Sequence, residues 1–111
     1  MTRNEKRILR NAIKSVTHHN RIAWTELKLQ IYHNGYQFDY PVRGDFDFPA
    51  EMAIMRMSAE DKQLLLNEWK NTNSEESGEK PDSEIFNYYA RVIVEEVVVR
   101  ARAAAYRTVN W

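Results

Sequence analysis

The sequence predicts an α+β domain: an N-terminal helix, an antiparallel β-hairpin with an optional third strand, short helices, and a long C-terminal helix packed on the sheet. Three observations predict it. Apolar residues recur at helical spacing from Ile8 to Val16, apolar and polar residues alternate on both sides of Asn34-Gly35, and a long apolar-rich segment follows a Pro81-Asp82-Ser83-Glu84 start.

In the first segment, Arg3 to about His18, the residues Ile8, Leu9, Ala12, Ile13 and Val16 share one face at about 100° per residue. Thr2 or Asn4 is positioned to cap its start. Arg3, Lys6, Arg7, Arg10 and Lys14 fall together on another face, giving a cationic stripe away from the core.

The run Leu27 to Val42 alternates around Asn34-Gly35, a dipeptide suited to a two-residue type I′ turn. With that turn, Ile31 faces Phe38, Leu29 faces Tyr40 and Leu27 faces Val42, all on one side. Tyr32, Gln30 and Lys28 then lie on the solvated side, and Pro41 marks an edge strand. The rival reading is a helix over Thr25 to Tyr32, because Ala23, Leu27 and Ile31 also recur every four residues; the hairpin is preferred because it explains the alternation after Gly35. Residues 43–49 predict a turn and an extended piece in which Phe46 and Phe48 alternate with Asp45 and Asp47, the optional third strand.

Pro49 suits the opening of a short helical turn running from Met52 to Met57, and Ser58 the cap of a clearer helix to about Lys70, anchored by Leu64, Leu65 and Trp69. Residues 71–80 contain no apolar side chain and predict a mobile acidic loop. The last helix is expected from Ile85 to about Arg107, with Asp82 or Ser83 as cap. Its β-branched run from Val92 to Val99 favours a strand by propensity, but Arg91 with Glu95 and Glu96 with Arg100 repeat at helical spacing. Phe86, Ala90, Ile93, Val97, Ala101 and Ala104 form one apolar stripe and Ile85, Tyr89, Val92, Val99, Ala103 and Tyr106 a second, so this helix needs cover on two sides. A second copy of the chain is one source of that cover, which predicts a homodimer through the C-terminal helix; the other is an ordinary place within a monomer.

The 111 residues predict one domain, 1–111, and zero cysteines exclude disulfides, Cys-ligated zinc and thiol nucleophiles. No run of apolar residues is long enough for a membrane span, and the basic N-terminal stretch lacks the apolar core of a signal peptide, so a cytoplasmic home is expected. Sixteen cations balance sixteen anions overall, yet residues 1–22 carry a net +5 and residues 45–82 a net −6. Blocks of opposite charge attract each other within a fold or face separate partners.

Catalytic motifs are absent: there is no phosphate-binding glycine loop, no H-E-x-x-H and no G-x-S-x-G. His18 and His19 are adjacent, hence about 100° apart on a helix and poorly placed to share one ion; His33 has no identifiable partner for base catalysis. Asp45-x-Asp47 lacks a third acidic ligand, and Arg43-Gly44-Asp45 reads as a turn. No metal or other cofactor is expected. The sequence therefore points to a small non-catalytic protein-interaction module, an inhibitor, adaptor or assembly subunit. Arg3, Arg7, Arg10 and Lys14 are its candidates for an acidic partner surface, and Tyr32, Tyr36 and Trp111 its candidate aromatic anchors. The alternative is a nucleic-acid-binding protein using the basic face of the first helix, and further behind stands a small metal-dependent enzyme.

Overall fold

The chain is described from a computed structural model over residues 1–33, 45–72 and 80–109. Five helices account for the secondary structure of these residues: α1 (Arg3–His19), α2 (Arg21–His33), α3 (Asp47–Met55), α4 (Ala59–Thr72) and α5 (Asp82–Val109). No strand occurs among the described residues, so the α+β expectation is overturned in favour of an all-helical fold.

α1 forms where its spacing predicts, and Thr2 is its cap. The Glu5 amide donates to the Thr2 hydroxyl at 3.2 Å, and the Thr2 amide donates back to the Glu5 carboxylate at 3.0 Å, a reciprocal capping box. Ile8, Leu9, Ala12, Ile13 and Val16 are buried as expected. Thr2→Ala should lower the unfolding free energy by about 1 kcal/mol, read from a urea melt.

The hairpin is the main correction. Its first arm, Leu27 to His33, is the second half of α2, and residues 34–42 lie outside the described residues. Leu27 and Ile31 are buried with Ala23 and Trp24 packed against the core, while Leu29 is 50% exposed. On a strand Leu29 would share a side with Leu27 and Ile31; on a helix it points away, and that is where it lies.

The optional third strand is overturned as well, since Asp45 and Phe46 form a turn and Asp47 opens α3. Pro49 sits in the first helical turn, where its missing N–H removes no helical bond. Phe46 is fully buried while Phe48 is exposed, so the two do not share a face. α4 follows the Ser58 cap, whose hydroxyl accepts from the Asp61 amide at 3.1 Å; its buried anchors are Leu65, Leu66 and Trp69, with Leu64 only partly buried. Asn71 and Thr72 belong to α4, and the remainder of the expected acidic loop, 73–79, lies outside the described residues.

α5, 28 residues long, packs on helices and not on a sheet, touching all four others. Its most buried residues are Ile85, Tyr89, Ile93, Val97, Ala101 and Ala105, one every four positions. Because four residues overshoot a turn by roughly 40°, this line winds around the helix, and α5 is covered from different sides along its length. Both expected stripes contribute to it, but Val99 and Tyr106 of the second are more than half exposed. Pro81 precedes the helix, its carbonyl accepting from the Glu84 amide at 3.0 Å, one position before the expected cap Asp82 and two before Ser83.

Within the core, Tyr89 joins three helices. Its hydroxyl donates to the Glu5 carboxylate at 2.8 Å and lies 3.1 Å from the Leu65 carbonyl. Glu5 is itself buried, so the capping box of α1 and Tyr89, in the first third of α5, share one carboxylate. Burial first, and then the adjacent Glu5 carboxylate, push the Tyr89 phenol well above its ordinary pKa.

Candidate interaction surface

α1 lays its apolar face on the core and leaves Arg3, Lys6, Arg7, Arg10 and Lys14 exposed. The structure divides this stripe among three surroundings. Arg7 turns to α4, with its guanidinium 3.6 Å from the Asp61 carboxylate, an exposed pair of small energetic weight. Lys6 and Arg10 line a groove between α1 and α5, whereas Lys14 lines a separate cleft at the α1–α2 corner. Arg3 stands exposed in the first turn.

The α1–α5 groove has a volume of about 370 Å³. Leu9, Ile13 and Val92 supply its apolar lining, Met1 lies at one end, and Lys6, Arg10 and Arg100 surround them with Glu96 as the single anion. The pattern follows from helix geometry: Lys6 and Arg10 are one turn apart, as are Glu96 and Arg100, so each helix presents a polar rim beside a buried row. The sequence marks Glu96 and Arg100 as a helical charge pair and Val92 as an apolar-stripe residue but not as parts of a site, because only the packing of α5 against α1 brings them to the cationic stripe.

Tyr32 is 44% exposed near the end of α2, its ring 5.3 Å from that of His33. It stands on the outer side of α2 with Leu29 and Ile22, a consequence of the helix replacing the hairpin. Tyr36 and Trp111, the other two expected anchors, lie outside the described residues.

A second apolar feature escaped the sequence reading: Phe48 and Met55 are each about two-thirds exposed on α3, and Met52 between them lines a groove against α1 of about 370 Å³. Their spacing of four and then three residues is a helical signal, which the extended reading of 43–49 concealed by separating Phe48 from the helical turn after Pro49. Asp47, in the first turn of α3, is placed as a helix-start carboxylate and not on the same side of a strand as Asp45. No group of three or more His, Asp and Glu side chains able to hold a metal occurs among the described residues, and no described helix is long and apolar enough to cross a membrane. Comparison with protein-family models, with curated proteins and with solved structures finds no match.

Proposed function

We propose that this chain is a non-catalytic binding protein that engages an acidic, amphipathic segment of a partner protein in the α1–α5 groove. The observation that supports the reading is the groove's composition: apolar Leu9, Ile13 and Val92 framed by Lys6, Arg10 and Arg100. Met1 and Val92 offer apolar surface to a partner helix above the buried floor of Leu9 and Ile13, and carboxylates on the same helix face the three cations. A second copy of the chain is the competing occupant. A two-fold contact through this groove would set its net-positive rim, three cations against Glu96, on an identical rim, which disfavours self-association there and favours an acidic partner.

Affinity capture from host lysate, with nuclease present, tests the reading. Proteins retained by the native chain should fall at least tenfold in yield with Arg10→Glu and Arg100→Glu together, a charge reversal of two groove cations. Equal yields with the variant would remove the groove as the contact. A light-scattering mass of twice the chain at micromolar concentration would instead assign the surface to a homodimer.

A further inference from the structure

Outside that groove, α1 and α2 meet at a corner made by Asn20, whose side-chain amide donates to the Val16 carbonyl at 2.7 Å while its backbone carbonyl accepts from the Trp24 backbone amide at 2.9 Å. The tight junction brings the end of α1 against the start of α2. Lys14, Ser15, Thr17, His18, His19, Arg21 and Trp24 line the shallow cleft between them, about 580 Å³ in volume. Two permanent cations, two imidazoles, two hydroxyls and an indole make up this lining, and none of the described residues in it is acidic. Lys28, on the next turn of α2 and outside the cleft's lining, holds its ammonium over the Trp24 ring, 5.5 Å from its centre. Lys14, His18, His19 and Arg21 are exposed, and Trp24 is half-buried with its body against the core.

From this juxtaposition we infer that the α1–α2 corner binds single-stranded nucleic acid, with phosphates on Lys14 and Arg21 and a base against Trp24. Phosphate contacts need cations free of competing carboxylates, and a base needs a flat aromatic surface beside them; the corner supplies both within one cleft. A duplex is the poorer fit, because its bases are stacked on one another and not available to an indole.

Fluorescence anisotropy with a short labelled oligothymidine tests the inference, using the full chain. The native protein should bind with affinity that falls as salt rises. Lys14→Glu with Arg21→Glu, both at exposed positions, should weaken binding at least tenfold and flatten the logarithmic salt slope by roughly 1 to 2. Trp24→Leu keeps an apolar side chain against the core; it should weaken binding about fivefold or more while leaving the salt slope unchanged. Unchanged affinity in the double charge reversal would overturn the site, whatever the folding of the tryptophan variant. So would a duplex of the same length binding as tightly as the single strand, or thymidine monophosphate competing as well as the oligomer. Arg10→Glu with Arg100→Glu leaves the cleft lining intact, so loss of partner capture and loss of oligonucleotide binding report on different surfaces.

Discussion

Ile93→Ala should destabilise the fold by about 3–4 kcal/mol, seen as a lower urea midpoint at unchanged slope. Ile93 is fully buried at the middle of the winding line on α5, the helix that touches all four others. Truncation removes the transfer energy of the deleted carbons and leaves a cavity, and helices on several sides limit collapse into it. Against a total stability of about 5–15 kcal/mol for a domain of this kind, the loss is a large fraction. Val99→Ala on the same helix is the internal comparison: Val99 is 53% exposed, and its truncation should change stability by no more than about 0.5 kcal/mol.

Tyr89→Phe should cost about 2 kcal/mol near neutral pH, since it removes the hydroxyl that donates to the buried Glu5 carboxylate at 2.8 Å. It should also change the alkaline limb of the stability profile. In the native fold the phenol's pKa is raised above its unfolded value, so its contribution is complete below about pH 10 and declines as pH rises beyond that. There the unfolded chain has released the proton and the folded chain has kept it, giving a loss of about 1.4 kcal/mol per pH unit. Urea midpoints measured across the alkaline range should show this slope in the native protein and a shallower one in Tyr89→Phe; equal slopes would mean that another group governs alkaline unfolding.

The helices with unambiguous periodicity were legible in the sequence. α1 has five core residues on one face and its Thr2 cap, α4 has the Ser58 cap with acids following it, and α5 has charge pairs at helical spacing that outweighed its β-branched run. α2 was misread because it carries apolar residues on two sides. Leu27 and Ile31 face the core and Leu29 faces out, so the three in a row imitate the period-two pattern of a strand. The adjoining Asn34-Gly35 reinforced that pattern by supplying the chemistry of a turn. The same confusion of periods displaced only the start of α3: Phe46 and Phe48 alternate in sequence but separate into a buried turn residue and an exposed helical one, while the helical turn after Pro49 was legible.

Of the site, the cationic face of α1 was readable because i, i+3 and i+4 neighbours share a helix side irrespective of tertiary context. Its division was not. That Arg7 meets Asp61, Arg10 meets the α5 groove and Lys14 meets the corner with Trp24 depends on which helices lie beside α1. Residues distant in the chain had to be placed before those neighbourhoods existed.

The winding line of burial on α5 also bears on how the chain is made. Because α2 owes most of its cover to residues 82–109, it cannot shield its apolar side while the ribosome is still working through the earlier helices. The nascent chain must therefore carry that surface unprotected until α5 emerges to cover it.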